Sequence, residues 1–286
     1  TLNNSFLFIS SCNYSLSNLV QEVSMKNFVK IYSLFAIVFL VSCSDQNISE
    51  DTEKGPIHLG PYYNEFLACE AGPKYSQETI TEMLSAWQDL QVAEGLGWAG
   101  VYAPVGENHR FSNGWWELEW DSKESSDNAF NNPSPEFLAW AEDYAEVMTC
   151  DIEGRFPWTF YLPRDPNSFG GVMGENGYFA SEFLACDFNE GKSSSDLRAA
   201  VVAFNEYLDE NGSQSPYFFG VYYPEFEGAT NDFLWGNWHA TFETMKAGNA
   251  DWEENGQAMQ AQFNEISTCM SPDYYDSWEL YNSPDS

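Results

Sequence analysis

Three side chains in this chain have types and settings suited to acid–base work. Glu65 and Glu182 occupy the same place in two copies of one segment, Glu65-Phe-Leu-Ala-Cys69 and Glu182-Phe-Leu-Ala-Cys186. Burial in an otherwise apolar strand disfavours the charged form of a carboxyl, so its pKa rises toward the range of a general base. The same glutamates could equally mark the exposed start of each strand. His239, one of three histidines, is of a residue type whose ordinary pKa lies near neutrality, and could act as a base or ligate a metal or haem. The competing reading is a solvated or hydrogen-bonded histidine without function. Its expected counterpart on the third strand of the first copy is Glu117. Six aromatic residues on the second and third strands of the copies, Tyr102, Trp116, Trp120, Tyr222, Trp238 and Phe242, are candidates for lining a site for a flat ligand. With 11 Trp, 16 Tyr and 22 Phe in the chain, packing accounts for most rings and leaves some for binding.

These residues are placed by a duplication. After the first match, Gly100-Val-Tyr-Ala-Pro104 returns as Gly220-Val-Tyr-Tyr-Pro224, Thr149-Cys150 as Thr268-Cys269, and Trp158 with Tyr161 as Trp278 with Tyr281. Four matches in one order, displaced by 117 to 120 residues, describe one module used twice.

Each copy reads as strand, helix, strand, strand, helix, strand. Asn64–Cys69 is a short apolar run bounded by glycine and proline. Ser76 caps a helix with Ile80, Met83, Leu84, Trp87 and Leu90 at helical spacing, and Ser194 or Ser195 starts its partner with Leu197, Val201, Phe204 and Leu208. Residues 98–104 and 217–224 are aromatic, β-branched strands, followed by alternating strands over 115–121 and 235–243. A second helix is expected over 135–149 and 257–268, and a last strand over 156–162 and 274–281. That order is the split βαβ pattern of ferredoxin-like modules, with a four-stranded antiparallel sheet carrying helices on one face. On the third strand, Trp116, Leu118 and Trp120 oppose Glu117, Glu119 and Asp121, while Trp238, Ala240 and Phe242 oppose His239, Thr241 and Glu243. Either set could face the helices, so the inward face stays open at this level.

Over residues 62–281 the element order, the duplication and the Trp/Tyr/Pro pattern resemble the dimeric α/β barrel superfamily, in which two ferredoxin-like sheets face each other around a cavity. The expected fold is therefore α+β: two tandem ferredoxin-like βαββαβ modules, over 62–165 and 178–286, packed as an intrachain α/β barrel pseudo-dimer that needs no second subunit. The resemblance implies an unidentified small molecule bound between the modules. Its members include cofactor-independent monooxygenases and isomerases, which would use Glu65, Glu182 or His239 as base, and haem proteins, whose proximal histidine lies on a helix rather than a strand. Fold alone does not choose among these. A third class, a structural envelope protein binding a macromolecule at a sheet edge, also stays open. No cofactor and no metal site is expected: the run Asp187-Phe-Asn-Glu-Gly-Lys-Ser193 has alternate oxygen ligands but lacks the glycine and glutamate of a calcium loop and reads as a strand-to-helix connection.

Upstream, Met25-Lys-Asn-Phe-Val-Lys30 precedes an apolar run over 31–41, too short to span a bilayer comfortably and suited to export. Its end, Leu40-Val-Ser-Cys43, resembles the bacterial lipoprotein lipobox, which implies a signal peptide over 25–42, lipid on Cys43, a polar tether over 43–61 and a location on the periplasmic side of the envelope, most consistent with the outer membrane. Residues 1–24 precede the first methionine and are read as lying outside the native protein. Cys12 lies there too, leaving Cys69, Cys150, Cys186 and Cys269, which allow three pairings. One pair per module, Cys69–Cys150 and Cys186–Cys269, is the economical choice in an oxidising compartment. Zinc would need closer spacing or a neighbouring histidine. Eleven basic against 44 acidic residues, a net charge of −33, repel nucleic acid.

Overall fold

The computed structural model describes residues 59–106, 113–164, 174–211 and 217–283. The export segment, Cys43 and the tether through residue 58 lie outside the described residues, as does Cys12.

The first module begins with strand β1 (Leu59–Ala71) and helix α1 (Gln77–Gln88). Ser76 and Thr79 form a capping box at the start of α1, satisfying amide groups that have no partner within the helix. The helix turns Met83 and Trp87 onto the sheet, and burial of such side chains contributes roughly 1.5–3 kcal/mol each. Strands β2 (Leu96–Val105) and β3 (Gly114–Trp120) follow.

Where one crossover helix is expected, the chain makes two, α2 (Lys123–Asn131) and α3 (Pro135–Asp143). Pro133 stands between them, and a helix does not run through the residue before a proline. Ser134 then caps the new helix, with Pro135 in its first turn. The second module repeats this departure. The strand expected to reach residue 243 stops at His239, because Thr241 caps a helix that starts at Phe242.

The short strand β4 (Met148–Cys150) and strand β5 (Phe156–Leu162) complete the first module. The second module runs β6 (Tyr178–Phe188), α4 (Ser194–Asn211), β7 (Tyr217–Pro224), β8 (Phe233–His239), α5 (Phe242–Asn255), α6 (Gln257–Ile266), β9 (Ser267–Cys269) and β10 (Asp273–Asn282).

Within each module the strand order is that of a ferredoxin-like sheet: β2-β3-β1-β5 and β7-β8-β6-β10. The last strand of each then pairs with the second strand of the other, β5 with β7 and β10 with β2, antiparallel in both cases. These two seams close eight strands into a ring, so the sheets have no free edge there. The fold is two tandem ferredoxin-like modules forming an α/β barrel within one chain.

Both disulfides follow the expected one-per-module pairing, Cys69–Cys150 and Cys186–Cys269, with S–S distances of 2.00 and 2.02 Å. Cys150 and Cys269 lie not on helix ends but on β4 and β9, directly opposite Cys69 on β1 and Cys186 on β6.

Three apolar cores result among the described residues. One lies between the first module's helices and sheet and takes in Leu280 of β10. Another lies under α4 and α6. The third fills the barrel with rings from both modules, among them Phe66, Tyr102, Trp158, Phe179, Tyr222 and Trp238. Inward glycines make room for those rings. A Cβ at Gly220 would overlap Phe160 and Trp238, and one at Gly100 would overlap Trp98. The repeated Gly-Val-Tyr segments therefore put a glycine and a tyrosine, two residues apart, on the inward face of each copy.

Candidate functional site

Along β1 the side chains alternate: Tyr62, Asn64 and Phe66 face the barrel interior, and Tyr63, Leu67 and Cys69 pack with the helix-side core. β3 alternates likewise. Trp116, Leu118 and Trp120 belong to the helix-side core, while Trp115 packs with the interior rings. Glu117 and Glu119 share the inward face with Trp115, two carboxyls inside a closed barrel.

Glu117 is only 2% exposed. Asn64 Nδ2 donates to its Oε1 at 2.7 Å and Tyr222 Oη donates to the same oxygen at 2.9 Å. Tyr102 Oη donates to its Oε2. Tyr102 and Tyr222 are the equivalent tyrosines of the repeated Gly-Val-Tyr segments, so the duplication brings two symmetric hydroxyls onto one carboxyl. The carboxyl itself has no double, since the pairing registers put Gly236 in the matching place.

Burial pushes the Glu117 carboxyl up to about 7, with the three donors pulling the other way. Glu119, 9% exposed, is pushed up to about 8, first by burial and then by the charge of Glu117. Burial, then the Glu117 charge, holds both tyrosines well above their ordinary value, so they act as donors and not as phenolates.

Beside this cluster a cavity of about 250 Å³ opens between the modules at the end of the barrel where β1 and β6 finish. Its walls include Phe66, Tyr102 and Trp158 from the first module and Phe183, Ala185 and Tyr275 from the second. The segment 226–231, joining β7 to β8, borders it. An open groove of about 320 Å³ lies outside the barrel, between α4 and the β5–β7 seam.

The three residues singled out as bases face the other way. Glu65, 1% exposed, points at α2, where Ser126 Oγ donates to it at 2.5 Å and Arg155 Nε at 3.0 Å. The Arg155 guanidinium lies 4.1 Å over the Phe130 ring. Glu182 is its structural double, accepting from Asn237 at 2.8 Å and from Asn249 of α5 at 3.2 Å. Each glutamate is thus a polar fastener between β1 or β6 and the helix after the third strand, and neither marks an exposed strand start.

His239 packs 5.0 Å from the Tyr217 ring, against Gly248 of α5. Burial lowers its pKa to about 4, which keeps the imidazole neutral. Its counterpart is not Glu117 but Trp120, because Trp120 stands opposite Tyr63 as His239 stands opposite Ala180.

Of the six aromatic candidates, Tyr102, Tyr222 and Trp238 reach the interior. Trp116 and Trp120 are covered by the first module's helices, and Phe242 opens α5. Asn64 and Trp158 belong to the interior and carried no signal as site residues in the sequence. Among the described residues no group of three or more His, Cys, Asp and Glu side chains could hold a metal ion.

No protein-family model and no curated protein matches the chain. Among solved structures it is similar to an anthrone oxidase-like protein at 11% identity, covering 78% of this chain and 97% of that one with a TM-score of 0.45. It is similar to a mutant chlorite dismutase from Candidatus Nitrospira defluvii at 9% identity, with coverage of 77% and 92% and a TM-score of 0.46. A heme-binding protein from Thermus thermophilus is 9% identical, with coverage of 78% and 93% and a TM-score of 0.44.

Proposed function

We propose that this protein is an exported lipoprotein that holds a small, largely apolar and flat molecule inside its barrel. The observation that carries the binding reading is the cavity of about 250 Å³ walled by aromatic rings from both modules. A dry cavity of about 150 Å³ already admits benzene, so this one has room for a molecule of roughly two fused rings. The export reading rests on the sequence from Met25 to Cys43. Native mass spectrometry of the full chain extracted from its own envelope tests both parts. A diacylglyceryl mass on an N-terminal Cys43 and a co-purifying molecule that is absent from Ala185→Phe, which fills the cavity from β6, are the expected results. An unmodified Cys43 would end the lipoprotein reading, and equal retention of the molecule by the filled variant would end the cavity reading.

A second reading is favoured by the Glu117 cluster: cofactor-independent proton transfer on the bound molecule, as in an isomerase or the opening step of an oxygenase. The ligand proton would pass to Tyr102 Oη as the tyrosine's own proton passes to Glu117 Oε2, leaving a ligand anion and a neutral carboxyl. Tyr102 forms part of the cavity wall, and a carboxyl titrating near 7 is matched to such work. Turnover of the co-purifying molecule should fall by about 10²–10⁴ in Glu117→Gln while binding persists. Unchanged turnover in that variant would rule this reading out.

A further inference from the structure

The cavity between the modules is an aromatic box with a carboxylate in its lining. Eight of the sixteen described residues that line it are aromatic, and among those sixteen only Asp273 carries a charge. The rings meet nearly at right angles: Phe66 stands at 89° to Phe183 and at 88° to Trp115, and Tyr102 at 86° to Tyr275. Walls that turn corners in this way surround a rounded group on several sides, where parallel rings would form only a slot. Asp273 opens β10 and is partly exposed, so its carboxylate keeps contact with water while it borders the cavity. A second carboxylate stands one hydrogen bond behind the lining, since Asp187 accepts from Asn231 Nδ2 at 3.3 Å.

The face of an aromatic ring is the negative part of its quadrupole and attracts a cation within about 6 Å of the ring centre. Rings on several sides act on a short range, Asp273 on an intermediate one, and the net charge of −33 on the whole chain draws cations from solution. We infer that the molecule held in the cavity is an organic cation, an alkylated ammonium centre on an apolar body, seated among the rings with Asp273 as its counter-charge. This rests on the cavity reading above and narrows it. An anion would meet the ring faces and the Asp273 carboxylate. A bare ammonium group carries three donors, for which a wall of rings supplies faces but few oxygens. Alkyl groups on the nitrogen remove those donors and spread the charge over a surface that packs like a hydrocarbon.

The test uses the full chain and two probes of one shape, phenyltrimethylammonium and tert-butylbenzene, which differ by the exchange of a positive nitrogen for a carbon. 4-tert-Butylbenzoate serves as the anionic control, and all three are titrated by calorimetry. The wild-type protein should bind phenyltrimethylammonium about tenfold more tightly than tert-butylbenzene, and the benzoate not measurably. A merely apolar cavity gives the opposite order, because the hydrocarbon leaves water more readily. Phe226→Leu keeps the wall apolar and removes a ring, and Asp273→Asn keeps the shape and removes the charge. Each should lower the preference for the cation about two- to fivefold, while tert-butylbenzene binds both variants as it binds the wild-type protein and so reports an intact cavity. Equal or tighter wild-type binding of tert-butylbenzene or the benzoate would overturn the inference and leave the cavity reading in place. A cation preference unchanged in both variants would also overturn it, assigning the preference to the overall charge of the chain. Binding of none of the three probes would overturn the cavity reading and this inference with it.

Discussion

Replacing Cys186 and Cys269 together by alanine is expected to lower the stability of the folded barrel by about 4 kcal/mol in the chain-entropy account of a cross-link closing a long loop. The loop here spans 83 residues and contains α4, β7, β8, α5 and α6. Freed of the link, the unfolded chain gains conformations that the folded state cannot use. The short pairing of β9 with β6, three residues on each strand, then has to hold that end of the crossover without a covalent tie. Urea unfolding followed by far-ultraviolet circular dichroism measures the loss. A midpoint unchanged from the oxidised wild-type protein would show that the link does not constrain the unfolded chain.

Glu119→Gln is expected to change the pH dependence of stability more than its value in acid. In the folded barrel the Glu119 pKa is raised from the ordinary 4.5 to about 8. Folding therefore favours the protonated carboxyl. The stability tied to that proton is fully present below about pH 4.5 and is lost as pH rises through about 8. Each pH unit of that window is worth about 1.4 kcal/mol, so the wild-type barrel should weaken by on the order of 5 kcal/mol across it. Glutamine keeps the shape and cannot ionise, so the variant should match the wild-type protein near the acid end of the window and exceed it above the alkaline end. Parallel stability curves for the two proteins would refute the assignment. In the second module, Trp238 holds the place that Glu119 holds in the first, opposite Ser181 as Glu119 is opposite Asn64. An apolar ring is thus compatible with the position, and the carboxyl is a feature of the first module alone.

Much of the frame is legible in the residues. The pairing of the cysteines follows from two equivalent cysteines per copy, and the α1 cap at Ser76 from a short hydroxyl side chain ahead of an apolar helical face. β5 and β7 fall on the expected residues because aromatic and β-branched runs end at glycine or proline. The second crossover was harder. Pro133 and Thr241 are local signals for a helix break and a helix start, but the apolar periodicity around them continues past both points and hides the boundary.

The inward face of the third strand was the least legible feature. A strand with water on one side declares its core face by polarity. In this barrel every third strand is covered twice, by helices outside and by aromatic rings inside, so Trp116 and Trp120 are as well placed under a helix as in the interior. A slip of one residue reverses every such assignment, and the true register puts His239 beside α5.

By itself the sequence determined two copies of one βαββαβ module, two equivalent cysteines in each and a pair of equivalent tyrosines in Gly-Val-Tyr segments, because each of these depends on neighbours in the chain or on the repeat. Only the tertiary structure decided that Glu65 and Glu182 fasten helices, and that Tyr102 and Tyr222 meet on Glu117 beside a shared cavity. Those outcomes depend on which strands the closing ring brings together, and contacts between the second strand of one module and the last strand of the other have no local trace.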